Sequence, residues 1–277
     1  MAALCRLIGS SRMGICRLLK NSGYHHHHST VHQFPDGFSY WPNYFTNKEQ
    51  RTLLSASLYK LDSSETRQSR VKRKEYWKSR SNDDQTELDP PATLFAPDDM
   101  YEFQEVRTTS GFPKGHFDGV IHHYREMHLS SWPIDKFCDL KSVLDRLYSL
   151  CPTQDVQTHI LHLASHGEIL PHVDNTSASG RWILGVSLGH ERVLKMREES
   201  QDGHEFSLTL PSGSVYLQRD DIRYSYLHSI SKNTQESGVV GQRLSIMIRV
   251  SPSPMSWLNP QGFLTLMTVP GSMTCNP

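Results

Sequence analysis

Residues 243–249 carry the sequence RLSIMIR, and the alternation along this stretch is typical of a strand with two unlike faces. One face holds Arg243, Ser245, Met247 and Arg249. The other face is purely aliphatic: Leu244, Ile246 and Ile248. Two interpretations stay open from the pattern alone. The arginines either point into a cavity, where they need anions as partners, or face solvent while the aliphatic side forms the core.

Stretches with the same two-residue period precede this one and are separated by turn residues. We predict strands over 156–164, 168–173, 181–188, 192–196, 206–210, 214–218, 224–230 and 243–250. The sequence Pro211-Ser212-Gly213 joins two of them as a hairpin. Eight short strands with few helical interruptions predict a closed barrel or a two-sheet roll, with helices flanking a mainly β fold.

Helical patterns are confined to the part of the chain before these strands. Thr46 and Glu49 have the spacing of a capping box, which opens a helix through about Tyr59. A second helix is predicted from Ser131 to about Leu150, with an apolar stripe at helical spacing. Between them, the polar and charged residues 62–91 predict a long surface loop.

That predicted loop contains the main basic run of the chain. Seven arginines and lysines lie between Arg67 and Arg80, with Tyr76 and Trp77 among them. This run is the one candidate nucleic-acid surface in the sequence, although such runs are also typical of a solvated face.

Overall composition excludes several classes of protein. Lys and Arg total 29, and Asp and Glu total 29, so no net charge draws the chain to nucleic acid or membrane. Five cysteines show no CxxC pair, which argues against a zinc knuckle or a disulfide framework and favours a reducing compartment. No apolar run approaches the roughly 18 residues that a transmembrane helix needs.

The first 35 residues differ from the rest of the chain. They carry four basic side chains and no acidic residue before Asp36, a composition typical of a mitochondrial presequence. A disordered basic tail is the alternative. We therefore divide the chain into a presequence and linker over 1–35, a domain over 36–252 and a loosely ordered tail over 253–277. The domain comprises a helical support over 36–153 and a β core over 154–252.

The sequence His172-Val173-Asp174 follows a predicted strand, and His228 lies in a later one. Side chains two residues apart on a strand project from the same face, so His172 and Asp174 can occupy neighbouring positions around one metal ion. With His228 they form two histidines and one carboxylate, the ligand set that leaves three open positions on a non-haem iron(II) ion.

The order and spacing of these residues, followed by Arg243 and Arg249, resemble the AlkB family of iron(II)/2-oxoglutarate dioxygenases. The resemblance covers roughly residues 34–252 and includes 38–54, His116-Phe117-Asp118, 121–126 and 167–174. It implies a double-stranded β-helix, or jelly-roll, core. It is strongest for the mitochondrial branch of the family, which is associated with fatty-acid metabolism and programmed necrosis.

The resemblance also implies the role of each matched residue. His172, Asp174 and His228 would be the catalytic iron ligands. Arg243 would hold the distal carboxylate of 2-oxoglutarate, and Arg249 would lie near the metal-bound end. Tyr216 and Ser245 would complete the co-substrate pocket, although Tyr216 also fits an ordinary core tyrosine. Iron(II), 2-oxoglutarate and O2 are the implied cofactor and co-substrates.

This chain departs from the nucleic-acid-repairing members of the family. Those members carry Asn and Tyr where this sequence has Leu161 and Leu163, and Asn where it has Ser245. They also carry an acidic residue after the first ligands, where this chain has Asn175-Thr176-Ser177. The short segment before the β core leaves little room for a lid over a flipped base.

Three functions remain open on the sequence. The first is a mitochondrial matrix dioxygenase that hydroxylates a protein or small metabolite. The second is an oxidative demethylase of mitochondrial RNA, which the basic run Arg67–Arg80 would contact. The third is a non-catalytic interaction module on the same fold, against which the complete ligand set argues.

Overall fold

The computed structural model describes residues 34–80, 88–104, 119–200, 203–232 and 241–250. All of them fall within Phe34–Pro277, one of the two compact units of the chain. The expected presequence, except for residues 34 and 35, and the expected tail lie outside the described residues, as does His116-Phe117-Asp118.

Nine strands form the β core of the described chain. They are β1 (Phe38–Trp41), β2 (Ile121–Leu129), β3 (Val156–His172), β4 (Trp182–Gly189), β5 (Arg192–Glu198), β6 (Glu205–Leu210), β7 (Ser214–Arg219), β8 (Tyr226–Ile230) and β9 (Arg243–Val250). All pairings are antiparallel, in the order β1-β7-β4-β9-β3-β8-β5-β6, and β2 also pairs with β3.

The long strand β3 determines how this sheet divides into two layers. Residues 156–163 of β3 pair with β9, whereas Ile169 and His172 pair with β8. One strand therefore passes from the layer containing β1, β7, β4 and β9 into the layer containing β8, β5 and β6. This arrangement confirms the predicted jelly-roll core with flanking helices.

Five α-helices accompany the strands in the described residues. They are α1 (Asn47–Ser63), α2 (Arg67–Arg80), α3 (Leu140–Tyr148), α4 (Thr176–Ser179) and α5 (Asp220–Ser225). Short 3-10 helices lie at Pro91–Leu94, Asp98–Met100 and Ile134–Lys136. None of the described helices is both long and apolar enough to cross a bilayer.

Two clusters of buried apolar residues lie on opposite sides of β9. The aliphatic face of β9, Leu244, Ile246 and Ile248, packs with α1, α3 and β4 in one cluster. The second cluster fills the interior of the roll between the two layers, and it includes Leu161, Leu194 and Tyr216. The polar face of β9 therefore points toward the interior of the roll.

The predicted helix after Thr46 is confirmed and extends to Ser63. Thr46 accepts a hydrogen bond from the backbone N–H of Glu49, whose side chain returns to the backbone N–H of Thr46, which completes the capping box. The helix predicted to begin at Ser131 instead begins at Leu140. Pro133 precedes a short 3-10 turn and Phe137 is extended, so only the second half of the stripe is α-helical.

The long loop predicted over 62–91 was wrong, because α2 occupies Arg67–Arg80. Its residues are mostly good helix formers, but they lack the apolar stripe on which sequence periodicity depends. The only buried residue of the helix is Arg73, which pairs with Asp62 (Nη2 to Oδ1, 3.2 Å) and Glu65. A charged contact, rather than an apolar one, therefore attaches α2 to the domain.

The strands of the described chain match the prediction closely, with three differences. The predicted strands 156–164 and 168–173 form the single strand β3, in which residues 164–167 bulge opposite His123 of β2. A Cβ atom at Gly167 would lie 2.8 Å from the carbonyl oxygen of His123, so glycine permits this close approach. The strand predicted over 224–230 begins at Tyr226 because α5 ends at Ser225, and β1 and β2 were not predicted.

Candidate metal and co-substrate site

Three potential metal ligands meet at the open end of the roll. His172 is the last residue of β3 and pairs directly with His228 of β8. The Nε2 atoms of His172 and His228 lie 3.4 and 3.8 Å from Oδ1 of Asp174. One ligand atom from each residue lies within 4.8 Å of the other two, so a single ion can contact all three. The sequence-predicted triad is therefore assembled by the fold.

Hydrogen bonding and burial set the protonation of these ligands. Nδ1 of His172 lies 2.8 Å from the carbonyl oxygen of Leu170, which can only accept, so Nδ1 carries the proton and Nε2 keeps its lone pair. Burial lowers the pKa of His228 to about 4. Burial opposes ionisation of Asp174, but the adjacent His228 and His172 hold its pKa below the ordinary value. The triad thus offers imidazole nitrogens from two histidines and one carboxylate, the ligand types that suit an iron(II) ion.

The polar face of β9 is buried inside the roll. Arg243, Ser245 and Arg249 are 2%, 3% and 5% exposed, so the solvent-facing interpretation of these arginines was wrong. Nε of Arg243 donates to Oγ of Ser187 at 2.9 Å, and Nε of Arg249 has no hydrogen-bond partner among the described residues. Burial lowers the pKa of both guanidinium groups.

Tyr216 lies on the same interior lining. Tyr216 lies on β7 and is 7% exposed. Its partner on the neighbouring strand β4 is Gly185. A Cβ atom on Gly185 would collide with the Tyr216 ring, so glycine leaves the space in which that ring lies. Burial raises the pKa of Tyr216, and the hydroxyl therefore remains a hydrogen-bond donor at neutral pH.

Within the described chain, no carboxylate lies within ion-pair distance of Arg243 or Arg249. Neither buried guanidinium contacts a carboxylate, although the charges of Asp174 and Glu126 act on Arg249 from beyond ion-pair distance. An anion bound between the layers would therefore lower the cost of burying both groups. A dicarboxylate supplies two anionic groups, and guanidinium binds a carboxylate with parallel hydrogen bonds. The residues present therefore fit an iron(II) ion at the triad and a dicarboxylate along β9.

Comparison with known protein families agrees with this geometry. Residues 37–249 match the family model described as the 2OG-Fe(II) oxygenase superfamily. This chain belongs to that superfamily. The oxygenases of this family use iron(II), 2-oxoglutarate and O2, which are the ion and co-substrates that the sequence predicted.

Two curated relatives of this oxygenase carry the name alpha-ketoglutarate-dependent dioxygenase alkB homolog 7, mitochondrial. The Bos taurus protein is 30% identical over 145 residues, and the Mus musculus protein is 32% identical over 147 residues. Each alignment covers 50% of this chain and 66% of the relative, so the chain spans just under two thirds of their length.

Two solved structures with 10% sequence identity also resemble the oxygenase. A prolyl-4-hydroxylase from Pseudomonas putida has a TM-score of 0.41, with 78% of this chain and 93% of that chain covered. A prolyl hydroxylase from Trichoplax adhaerens, in complex with a hypoxia inducible factor peptide, has a TM-score of 0.46, with coverages of 81% and 88%.

Two leucines mark the departure of this oxygenase from the nucleic-acid-repairing sequences. Leu163 pairs with Arg243 and Leu161 pairs with Ser245, so both leucines line the interior beside β9. Both are buried, at 0% and 1% exposure. The wall of the pocket is therefore apolar at Leu161 and Leu163, the positions at which Asn and Tyr are expected in the repair enzymes.

Sequence reasoning missed two buried arginines of the oxygenase, Arg223 and Arg192. Nη2 of Arg223, on α5, donates to Oγ of Ser179 at 2.5 Å and lies 3.3 Å from the carbonyl oxygens of Asp174 and Asn175. It thereby holds the backbone that carries the carboxylate of the candidate metal site. An isolated arginine next to Tyr224 gives no signal of this role in the sequence.

Proposed function

We propose that this protein is a mitochondrial Fe(II)/2-oxoglutarate-dependent dioxygenase that hydroxylates a protein or small-molecule substrate. The proposal rests on the interior of the roll, which is lined both by a His-Asp-His triad and by buried arginines that contact no carboxylate of the described chain. The basic, acid-free first 35 residues and the names of the relatives support the mitochondrial location. The family resemblance extends the proposal to fatty-acid metabolism and programmed necrosis.

His172, Asp174 and His228 would hold the iron in this mechanism. When bound, the iron supplies oxygen activation coupled to the oxidative decarboxylation of 2-oxoglutarate to succinate and carbon dioxide. The protein contributes fixed geometry: the Leu170 carbonyl orients His172, and Arg223 fixes the backbone at Asp174.

The residues of β9 and β7 would orient the co-substrate. Arg243 would bind its distal carboxylate in the deep, apolar end of the pocket, where Leu163 excludes water. Arg249 would lie toward the metal-bound end, because it is close enough to Asp174 for the two charges to interact. Tyr216 would donate its hydroxyl proton as a hydrogen bond while remaining neutral.

The substrate would approach from the side on which the metal ligands reach solvent. The side chains of His172 and His228 are each 12% exposed, whereas that of Asp174 is 4% exposed. One oxygen atom would enter a substrate C–H bond as a hydroxyl group, and the other would leave in succinate. Hydroxylation of a carbon attached to nitrogen would release an aldehyde and the free amine.

Measurement of succinate formed from 2-oxoglutarate in the presence of iron(II) and O2 tests this proposal. The wild-type protein should form succinate, and extracts of mitochondrial proteins and metabolites should contain a species that gains one oxygen atom. Asp174→Asn should abolish both signals, while the exposed control Asp221→Asn should retain them. Wild-type protein that binds iron but forms no succinate would favour a non-catalytic interaction module.

A second candidate, oxidative demethylation of mitochondrial RNA, is favoured by the exposed face of α2. Arg67, Arg70, Lys74 and Lys78 are all exposed and recur at helical spacing, to one side of the buried side chain of Arg73. The basic stripe is therefore accessible to solvent, as a polyanion-binding face requires.

Binding of a fluorescent single-stranded RNA over a range of salt concentrations tests the second candidate. If the stripe contacts phosphates, log K should fall with log salt at a slope of roughly −0.7 for each contact. Arg70→Gln combined with Lys74→Gln should reduce the slope by about one unit or more, whereas the exposed control Lys141→Gln should not. A salt-independent signal, or equal slopes in all variants, would exclude RNA contact through α2.

A further inference from the structure

A second buried arginine, Arg192, lies on the interior face of β5. Alternate residues of β5 are buried, so Arg192, Leu194 and Met196 face the interior, while Val193 and Lys195 are exposed. Arg192 is 1% exposed and is among the largest fully buried side chains of the described chain. The two layers of the roll thus each place an arginine inside, Arg192 from β5 and Arg243 from β9.

Backbone contacts locate the Arg192 guanidinium beside the beginning of β9. Its Nη2 lies 3.2, 2.8 and 2.9 Å from the carbonyl oxygens of Ala164, Ser165 and Gly241. Ala164 follows the residue of β3 that pairs with Arg243, and Gly241 is two residues before Arg243. The Arg192 guanidinium therefore contacts both the chain just before Arg243 and the adjoining part of β3.

The remaining donors of Arg192 have unused hydrogen-bonding capacity. Its Nε and Nη1 atoms are buried and make no hydrogen bond within the described residues. Burial, and then the charge of Arg243, lower the pKa of Arg192 to about 10, against a smaller opposing effect of Asp98. The oxygens of Asp98 accept from the backbone N–H of Ser165 at 3.0 and 3.3 Å. At neutral pH Arg192 is thus a cation subject to the charge of Arg243, and neither arginine has a carboxylate in ion-pair range among the described residues.

We propose that Arg192 and Arg243 form a dicationic wall at the deep end of the co-substrate pocket, with Arg192 as a positioning and specificity residue. Arg243 contacts the distal carboxylate, whereas Arg192 adds positive potential behind it and fixes the beginning of β9. The inference rests on the proposed function. The two positive charges make the second carboxylate of the co-substrate a requirement for binding. Only an anion at the deep end of the pocket relieves the repulsion between the arginines.

Two ligands of nearly equal size separate this role from a structural one. The first, 2-oxoglutarate, has a distal carboxylate, and 2-oxopentanoate has the same keto acid end and a methyl group in its place. Their dissociation constants are measured by calorimetry, without oxygen and with iron(II), for wild type, Arg192→Gln and Arg192→Lys. The matched control is Arg197→Gln, an exposed arginine of the same strand.

Loss of the Arg192 charge should weaken 2-oxoglutarate binding roughly tenfold and 2-oxopentanoate binding less than twofold. Arg192→Lys should keep most of the discrimination, and Arg197→Gln should keep all of it. Equal weakening of both ligands would overturn the proposal and leave Arg192 as a backbone clamp only. Unchanged binding of 2-oxoglutarate in Arg192→Gln would also overturn it.

Failure of the underlying function gives a different result. Wild-type protein that does not bind 2-oxoglutarate, or binds it independently of Arg243, would contradict the co-substrate site itself. If Arg192→Gln fails to fold, Arg192→Met, which also removes the charge, takes its place with the same two outcomes. Arg192→Lys keeps the charge without the Nη2 group that contacts three carbonyl oxygens, so lost discrimination in that variant would contradict the electrostatic role.

Discussion

Two pairs of buried arginines in this domain differ in whether a carboxylate of the protein contacts them. Arg73 and Arg125 both contact the carboxylate of Glu65, with 2.9 Å between Nη1 of Arg125 and Oε1 of that residue. Arg192 and Arg243 have no carboxylate in ion-pair range within the described chain. A carboxylate of the protein neutralises the first pair, whereas the second pair has no carboxylate partner among the described residues.

The difference separates a structural use of buried charge from a ligand-binding use. The first pair joins α1 and α2 to β2, and both guanidinium groups lie over the ring of Tyr101 at 4.8 and 4.2 Å. The second pair lies on the lining that also holds the metal triad. Removing a charge should therefore destabilise the fold at the first site and weaken co-substrate binding at the second.

The largest effect is expected from Glu65→Gln. This change leaves Arg73 and Arg125 buried with one carboxylate fewer, which should lower the free energy of unfolding by about 3–5 kcal/mol. Urea denaturation measures it, with the exposed Glu75→Gln on α2 as the control. A decrease in the free energy of unfolding of less than about 1 kcal/mol would mean that the ion pairs of Glu65 do not stabilise the position of α2.

Arg243→Met should have the opposite profile. Without ligand, the free energy of unfolding should stay within about 1 kcal/mol of wild type or rise, because a buried cation without a carboxylate partner has been removed. The affinity for 2-oxoglutarate should fall about 100-fold or more, as expected when one partner of a buried charge pair is truncated. Calorimetry and urea denaturation of the same preparation test both parts. Strong destabilisation with retained affinity would contradict the comparison.

Arg223 provides an intermediate case, because it contacts the backbone around a metal ligand rather than a carboxylate group. Arg223→Gln should weaken iron(II) binding by about tenfold, the lower range for loss of a residue that orients a ligand. The affinity for 2-oxoglutarate at saturating metal should change less. The control is Arg181→Gln, which removes an exposed pair with Asp220. Unchanged metal affinity would show that Asp174 needs no such support.

The smallest effect concerns His162, which connects the first pair to β9. Nε of Arg125 donates to Nδ1 of His162 at 2.9 Å, so the ring is neutral and its Nε2 donates to Gln242. Burial, and then Arg125, hold the pKa of His162 well below 6.5. Below about pH 6.5 the unfolded chain therefore binds a proton that the folded state does not, and stability falls as pH falls.

The pH dependence of urea denaturation between pH 7 and 5 measures this contribution. His162→Gln should remove a slope of at most about 1.4 kcal/mol per pH unit from the wild-type curve, whatever its effect at pH 7. The exposed His204→Gln should leave the wild-type slope unchanged. If the free energy of unfolding has the same pH dependence in wild type and His162→Gln, the His162 ring can be protonated in the folded protein without loss of stability.

The sequence predicted the elements whose pattern is local. The bounds of β9 were predicted as Arg243–Val250, because alternation between polar and aliphatic residues is complete along that strand. The spacing of His172 and Asp174 likewise placed two ligands on one side of the chain before the fold was known. The fold class and the clustering of three potential metal ligands could therefore be predicted from short motifs.

Elements stabilised by distant charges could not be predicted in this way. The helix α2 has no apolar stripe, and its buried Arg73 is held by carboxylates from the preceding helix and turn. The inward orientation of Arg192 likewise depends on contacts with Ser165 and Gly241, which are distant in sequence. Sequence periodicity detects hydrophobic faces, but it does not reveal which buried arginines have partners.

The central claim is that the triad and Arg243 form one site for iron(II) and 2-oxoglutarate. Anaerobic titration of the purified protein with both tests it most directly, because a keto acid chelated to iron(II) gives a weak visible charge-transfer band. We expect a band in wild type that His172→Ala and Arg243→Ala both abolish at the same ligand concentration. Absence of the band in wild type, with equal iron content in wild type and His172→Ala, would contradict it.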